Sequence, residues 1–426
     1  MVAEGGSRGP STRLCLAIVA VSLLVLVVLG VLLVPWSWVP GGHPATVRAR
    51  EVFSHAQIER AQSYAPVQRH LGWASLALST LLALALGLTR WGAWLARRCP
   101  GPWWVRALLV TFVLLLLADL VTLPLGLAIR HRDLRFGLTE QSLGGWCQDQ
   151  ATSLLVSWVF VAVMVLLVLG TARRSPTRWP LWTAVAGAVL TVFGSWVYPV
   201  VVEPLFNSFT SLPAGALRTD VFRLAAVEHV PIHDVLVADA SRRTTTLNAY
   251  VSGFGDTRRV VLYDNLVRDE PRRVTLSVVA HELGHAYHHD VAIGTALGAA
   301  GAALGSGLLG LLLSRRRLLE RAEAADAGAP EVVALLLALA AVGSLLASPV
   351  ENTVSRAIEA RADRSALEAT HDYTAFDEVQ KQLALRSLSD PTPPAWSQFW
   401  FGSHPTALQR TGIARALREQ DTSPAR

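Results

Sequence analysis

Residues 281–285 of the chain read His281-Glu282-Leu283-Gly284-His285, and an apolar run over residues 274–280 precedes them. The apolar run predicts a buried helix that continues through this motif. On a helix the two histidines share one face, so both imidazoles can reach the same ion, while Glu282 points beside them at a water on that ion. The arrangement is typical of zinc-dependent peptide hydrolysis. A chance match on a helix whose histidines only contact solvent is the alternative.

The composition of the 426-residue chain indicates a membrane protein. Apolar residues make up 52% of the sequence and charged residues 16%, and the mean hydropathy is +0.38. The net charge of +6 is carried almost wholly by arginine, much of it in short loops between apolar runs. This pattern indicates membrane topology rather than a nucleic-acid partner. The three cysteines, Cys15, Cys99 and Cys147, lie far apart, so neither a disulfide framework nor a cysteine metal site is expected.

Seven apolar runs are long enough to cross a bilayer as helices. The first is interpreted as a retained span, because it is too long for a typical signal peptide and no small-x-small cleavage site follows it. Asp119 lies inside the third run, where a carboxylate can line a functional cavity or pair structurally, and both readings stay open. The predicted spans are residues 14–34, 71–89, 107–129, 153–170, 181–201, 291–313 and 332–348.

These spans divide the chain into four parts that alternate between membrane and polar segments. The two polar segments are expected to form a soluble catalytic cap, because only they carry the candidate chemistry. The parts are residues 1–201 with five spans, 202–290 with a small sheet and the zinc helix, 291–350 with spans six and seven, and 351–426 with the rest of the cap.

The first polar segment predicts a small sheet before the zinc helix. Its strand patterns cover residues 234–238, 244–254 and 258–263, the last two joined in hairpin fashion. An edge strand can hold an extended peptide by backbone pairing. We assign that role to Asn248-Ala249-Tyr250, with the alternative that these strands only support the helix.

Two histidines leave a catalytic zinc ion one ligand short, because such sites use three protein groups and keep one position for water. The best candidate for the third ligand is Glu359. Asp363 lies four residues later on the same helix face and could hydrogen-bond the outer nitrogen of a ligand histidine. Glu351 and Glu368 are rivals that lack such a partner. Two spans separate His285 from Glu359, and an even number returns the chain to the same side of the membrane.

Four other polar residues are weaker candidates. His288 and His289 lack helical spacing to both ligand histidines and are interpreted as surface or supporting residues. His404 and Arg410 lie in the last polar segment. They could donate to the oxyanion that forms when water attacks a peptide carbonyl.

With these residues assembled, the chain resembles the type I CAAX prenyl endopeptidases, a family of membrane zinc proteases that also includes heat-shock membrane proteases of bacteria. The resemblance covers most of the chain from residue 198 onward, and the seven spans match the prenyl-protease branch. The motifs that carry it are Tyr198-Pro199, Glu203-Pro204-Leu205-Phe206-Asn207, Asn248-Ala249-Tyr250, Gly253-Phe254-Gly255, Val261-Leu262-Tyr263-Asp264, the motif of residues 281–285, Glu359-Ala360-Arg361-Ala362-Asp363, and His404-Pro405 with Arg410.

The resemblance implies a mainly α fold, in which a barrel of seven transmembrane helices encloses a water-filled chamber under a small α+β cap of the gluzincin type. It also implies a cap on the cytosolic side of the cell membrane. The short loops on the face away from the cap carry the denser arginine, which by the positive-inside rule predicts the opposite orientation. The implied site has one Zn²⁺ per chain bound by His281, His285 and Glu359, Glu282 as base, and His404 and Arg410 near the substrate carbonyl.

The sequence therefore predicts an integral membrane zinc metalloendopeptidase that acts on peptides or membrane-protein segments. Residues 286–290 depart from the aromatic-basic stretch that often follows the zinc motif in the family. The alanine- and arginine-rich composition suggests a high-GC bacterial source, where prenylated substrates are not expected. The alternatives are a quality-control protease for damaged membrane proteins, or a non-enzymatic channel or carrier with structural zinc.

Overall fold

The computed structural model describes residues 9–37, 39, 42, 44–253, 255 and 257–422. Phe254, part of one family motif, lies outside the described residues. Helices dominate this part of the chain, and a small sheet interrupts them. The helices are α1 Thr12–Leu33, α2 Ala49–Val52, α3 His55–Gly87, α4 Arg90–Arg98, α5 Trp103–Phe136, α6 Leu143–Arg174, α7 Trp179–Val197, α8 Glu203–Phe206, α9 Ala216–Val227, α10 Asp264–Asp269, α11 Arg272–Tyr287, α12 Asp290–Leu313, α13 Arg316–Arg321, α14 Val333–Thr370, α15 Tyr373–Ser387, α16 Ala395–Phe401 and α17 Ala407–Thr422.

Within the described residues, seven helical segments are long and apolar enough to cross a membrane: α1, α3, α5, α6, α7 with α8, α12 and α14. The predicted number of spans is therefore confirmed. Neighbouring spans pack in the order α7, α6, α5, α3, α14. The helix α12 contacts both α14 and α7 and so closes these spans into a ring, and α1 packs on α12 and α7. A cavity of about 430 Å³ lies between α3, α5 and α14. Asp119 is an exposed residue of α5.

The helix α14 extends from the membrane into the cap without a break. It passes through Pro349, although proline lacks the N–H that would bond the carbonyl one turn earlier. That carbonyl, of Leu345, instead accepts a hydrogen bond of 3.2 Å from the indole Nε1 of Trp400. The predicted boundary between residues 350 and 351 thus falls inside one continuous helix, which fixes Glu359 relative to the membrane.

The cap contains a four-stranded sheet of β1 Phe209–Ser211, β2 Asp234–Ala238, β3 Ala249–Ser252 and β4 Arg259–Tyr263. The strand order is β1-β2-β4-β3, with β2 parallel to β4 and β3 antiparallel to β4. The strands predicted at 234–238 and 258–263 are confirmed, and β1 was not predicted because three residues give no readable alternation.

The strand predicted over residues 244–254 is wrong at its start, because β3 begins only at Ala249. The amide of Asn265 donates to the carbonyls of Thr244 and Thr246 at 3.3 and 2.8 Å. These side-chain bonds satisfy backbone groups that a strand ladder would otherwise pair. Residues 244–248 therefore form a fixed loop that leads into the edge strand.

Candidate metal centre

The helix α11 places the two motif histidines side by side. The Nε2 atoms of His281 and His285 lie 3.2 Å apart, and their rings are nearly perpendicular at 89°. The opposite face of α11 packs into the cap core with Val279 and Leu283. This buried apolar face fixes the orientation of the helix and hence the direction of both imidazoles.

Gly284 allows α14 to come close enough to supply a third group. A Cβ atom at this position would lie 2.9 Å from the Cβ of Ser365 on α14, which is closer than carbon atoms pack. Any side chain here would push α14, and Glu359 with it, away from the histidines. The small residue between the two histidines is therefore required by packing.

The side chains of His281, His285 and Glu359 converge within the described part of the chain, with ligand atoms within 4.8 Å of one another. The Oε2 atom of Glu359 lies 3.3 Å from the Nε2 of His281, and its Oε1 atom lies 3.6 Å from the Nε2 of His285. Donor atoms about 2.0–2.1 Å from a tetrahedral zinc ion are roughly 3.3–3.4 Å apart. The three separations fit one face of such a site.

The burial of one of these ligand oxygens also favours a cation here. The Oε2 atom of Glu359 is buried and has no hydrogen-bond partner among the described residues, a costly state for a carboxylate unless something else compensates it. Two imidazole nitrogens that face each other and this oxygen form the nitrogen and oxygen donor set that zinc prefers. The residues present therefore fit a zinc ion.

The outer nitrogen of His281 contacts a buried ion pair. Its Nδ1 lies 3.0 Å from Oδ1 of Asp363, which is fully buried, while Arg410 is 8% exposed. The guanidinium of Arg410 donates to both Asp363 oxygens, with the Nε to Oδ2 distance at 2.8 Å, and its Nη2 lies 3.2 Å from the same Nδ1. The Asp363 carboxylate thus lies where it can accept the predicted hydrogen bond from Nδ1 of His281. Arg410 lies behind the imidazole, which favours a positioning role over the oxyanion contact we predicted.

The outer nitrogen of His285 contacts a carboxylate that sequence reasoning missed. Its Nδ1 lies 2.8 Å from Oδ2 of Asp290, the first residue of α12. The other Asp290 oxygen accepts a hydrogen bond from Arg361 of α14. A position five residues after His285 has no helical spacing that would have indicated this contact.

The carboxylate of Glu282 makes no hydrogen bond to the described residues, so its oxygens are free to accept a proton. Burial raises the pKa of Glu282 above its ordinary value, and the charges of His281 and His285 offset part of that effect. His404 lies at the rim, where its Nε2 is 3.3 Å from Oε1 of Glu359 and its side chain is 59% exposed. Gln398 of α16 donates to its carbonyl at 2.6 Å.

The edge strand β3 lies beside α11. Ala249 is buried, Asn248 is exposed, and Tyr250 is half-buried. The Tyr250 hydroxyl donates to Oε2 of Glu203 at 3.3 Å, which joins the strand to the end of the fifth span. Within the described residues only β4 pairs with β3, so its outer edge can receive another strand.

The rival residues lie elsewhere in the structure. Glu351 is exposed, and Glu368 forms a surface pair with Arg364 at 2.7 Å. The Nε2 of His288 lies 2.9 Å from the hydroxyl of Ser365, and His289 is exposed. None of these four joins the group of converging ligand atoms among the described residues.

Glu228, at the end of α9, is a second buried carboxyl group near the site that the sequence did not reveal. It is 9% exposed, and its Oε1 atom has no hydrogen-bond partner among the residues described. Burial raises the pKa of Glu228 to about 8, and the charge of His281 offsets only part of this effect. At neutral pH the folded protein therefore holds a proton at Glu228 that the unfolded chain has released.

Replacement of Glu228 by glutamine is expected to stabilise the protein at alkaline pH. A glutamate in the unfolded chain ionises at about pH 4.3. As pH rises from there toward 8, folding must return a proton to Glu228 and becomes less favourable. Glutamine removes this penalty, roughly 5 kcal/mol when fully developed, because the pKa rises to about 8 and each pH unit is worth about 1.4 kcal/mol. Thermal unfolding of the full-length protein in detergent at pH 5, 7 and 9 measures the effect, with Glu351→Gln as an exposed control. A Glu228→Gln gain in Tm that does not grow with pH would contradict this prediction.

Both halves of the chain match protein families of known type. Residues 211–419 match the sequence model of peptidase family M48, and residues 42–208 match the model of the CAAX prenyl protease N-terminal region with five membrane helices. The chain is 30% identical over 312 residues to the uncharacterized metalloprotease YhfN of Bacillus subtilis, covering 73% of each protein.

Other relatives match over a shorter length. The CAAX prenyl protease 1 homolog of Oryza sativa is 32% identical over 157 residues, 35% of this chain and 36% of that protein. CAAX prenyl protease 1 of Saccharomyces cerevisiae is 30% identical over 171 residues, 40% of this chain and 38% of that protein. The crystal structure of S. mikatae Ste24p matches the fold with a TM-score of 0.76 at 20% identity, covering 95% of this chain and 100% of that one. The predicted fold, a barrel of seven membrane helices with a small α+β cap, is thereby confirmed.

Proposed function

Because the chain belongs to the CAAX prenyl protease family of M48 peptidases, and so is a membrane metalloendopeptidase, we propose that its metal is a single zinc ion. The convergence of His281, His285 and Glu359 carries this proposal. The site joins the two polar segments at residues 202–290 and 351–426, which we propose as the parts of one catalytic cap. Family membership argues against the non-enzymatic channel or carrier.

When bound, zinc would polarise the peptide carbonyl and lower the pKa of water. Glu282 accepts one proton from the attacking water, whose oxygen bonds to the carbonyl carbon. The same carboxyl group then gives this proton to the amide nitrogen as the C–N bond breaks, which releases a carboxylic acid and an amine. His404 lies next to Glu359 and is the group best placed to donate to the carbonyl oxygen.

The substrate peptide binds as an added strand on the free edge of β3. The proximity of β3 to α11 supports this, because backbone pairing would hold the scissile bond in an extended form next to the catalytic helix. Asn248, Ala249 and Tyr250 supply that edge, and Glu203 fixes Tyr250 at its hydroxyl. Recognition through the backbone predicts weak dependence on side-chain sequence.

The substrates are peptides or membrane-protein segments, and a prenyl group is not required. The relatives named CAAX prenyl proteases suggest a lipidated peptide. The alanine- and arginine-rich composition instead suggests a high-GC bacterial source, where prenylated substrates are not expected. Turnover of damaged membrane proteins is the second form of the same activity. Both uses require the same hydrolytic site.

We place the protein in the cell membrane with its cap toward the cytoplasm, as the family resemblance implies. The arginine-rich loops on the other face predict the reverse. Cys147 at the start of α6 is exposed on the cap side, and Cys99 lies beyond α4 on the other face. Labelling of intact cells with an impermeant maleimide, comparing Cys99→Ser with Cys147→Ser, identifies the outer face.

A panel of internally quenched peptides tests the proposal. It pairs each peptide with a prenylated copy and adds an unfolded membrane protein, all exposed to the purified full-length enzyme with its zinc measured. We expect cleavage of unprenylated peptides with kcat/KM within about tenfold of the prenylated copies, since tenfold corresponds to about 1.4 kcal/mol of binding. Cleavage of prenylated peptides alone would overturn the substrate assignment. Zinc binding without any cleavage would overturn the mechanism.

A further inference from the structure

The two histidines of the metal centre have matching surroundings. The outer nitrogen of His281 contacts Asp363, which pairs with Arg410. The outer nitrogen of His285 contacts Asp290, which pairs with Arg361. Each histidine thus has its own carboxylate, and each carboxylate has its own arginine. The first set comes from α14 and α17, and the second from α12 and α14.

The backbone adopts an unfavourable conformation to bring Asp290 to His285. The helix α11 ends at Tyr287, and His289 has φ 57° and ψ 36°, in the left-handed region. For a residue with a Cβ atom this region is sterically unfavourable. The left-handed residue turns the chain between α11 and α12. Asp290 therefore lies against a side chain of the preceding helix while it begins the next membrane span.

Asp290 is buried and fully used by its two partners. It is 8% exposed, with one oxygen 2.8 Å from the Nδ1 of His285 and the other bonded to Arg361. A buried carboxylate is stable only when paired and hydrogen-bonded. One oxygen is thus placed to accept a hydrogen bond from the Nδ1–H group of His285, which leaves the lone pair of Nε2 directed at His281 and Glu359.

We propose that Asp290 and Arg361 form a positioning pair for His285, acting on the metal as Asp363 and Arg410 do through His281. This inference rests on the proposed zinc site. The pair also connects the first residue of the sixth span to a metal ligand and to α14, two residues from Glu359. Displacement of the start of α12 would therefore reach His285 through a single hydrogen bond.

Zinc affinity of the full-length protein in detergent, measured by competition with a chelating dye, tests the pair. Asp290→Asn is expected to raise the zinc Kd by about 10- to 100-fold, the usual effect of losing such a partner of a ligand histidine. Arg364→Gln, on the exposed face of the same helix α14, is the matched control and is expected to keep the wild-type Kd. The metal-free Tm of each variant is measured beside it, because a residue that only supports the fold would lower Tm without changing Kd.

A second variant keeps the test decisive if Asp290→Asn does not fold. Arg361→Lys retains the charge but loses the planar fork of donors, and we expect a Kd about 3- to 10-fold above wild type, with a smaller effect in an Asp290→Asn background. Wild-type Kd in a folded Asp290→Asn protein, or in Arg361→Lys when Asp290→Asn fails to fold, would overturn the positioning pair alone. If the wild-type protein itself binds no zinc, the proposed function fails instead.

Discussion

Glu282→Gln is expected to lower kcat/KM for peptide cleavage by about 10³- to 10⁴-fold, because an amide cannot take a proton from the attacking water or return it to the amide nitrogen. Glutamine has nearly the same shape, and the Glu282 carboxylate makes no hydrogen bond to the described residues, so the fold is expected to survive. Initial rates on one quenched peptide at several concentrations measure the loss.

The zinc content distinguishes a catalytic from a structural effect of this change. The variant is expected to hold about one zinc per chain, as wild type does, since Glu282 is not among the three converging groups. Glu351→Gln, with the same chemical change at an exposed position, should retain full activity. Activity within tenfold of wild type for Glu282→Gln would show that another group is the base.

The second large effect is expected from Glu359→Ala, which should abolish both zinc retention and cleavage. The substitution removes one of the three protein ligands of the zinc site. The two remaining histidines bind zinc far more weakly than the complete site does. We expect less than about a tenth of the wild-type zinc after dialysis and loss of activity by at least about 10³-fold.

The control for this change is Glu368→Ala, which removes a carboxylate from the same helix at the protein surface. It should keep both zinc and activity. If Glu359→Ala retained stoichiometric zinc, a different residue would have to supply the third ligand, and His404 would be the first alternative because its Nε2 lies next to the same carboxylate.

The sequence was informative where a function imposes a spacing. Histidines four residues apart, and Glu359 four residues before Asp363, are helical neighbours whatever the rest of the chain does. The structure brings these side chains together, and it brings them together across two membrane spans. The strand over residues 234–238 was equally readable, because four apolar residues follow Asp234 in one short run, and two of them, Val235 and Ala238, are buried.

Contacts made by tertiary packing were not readable. Asp290 reaches His285 only through the left-handed conformation of His289, and nothing in a periodic pattern predicts that turn. The helix α3 is longer than its apolar run. It begins at His55 rather than near residue 71, because residues 55–70 are helical but too polar to give a hydropathy signal. Where α14 continues through Pro349, the carbonyl of Leu345 is bonded instead by Trp400, a residue far away in the chain.

The measurement that tests the central claim most directly is a crystal structure of the purified wild-type protein with anomalous diffraction recorded on both sides of the zinc absorption edge. We predict one anomalous zinc peak per chain, within about 2.0–2.2 Å of the Nε2 atoms of His281 and His285 and a carboxylate oxygen of Glu359. A peak bound by other residues, a site closed by a fourth protein ligand, or no zinc at these three side chains would contradict the account.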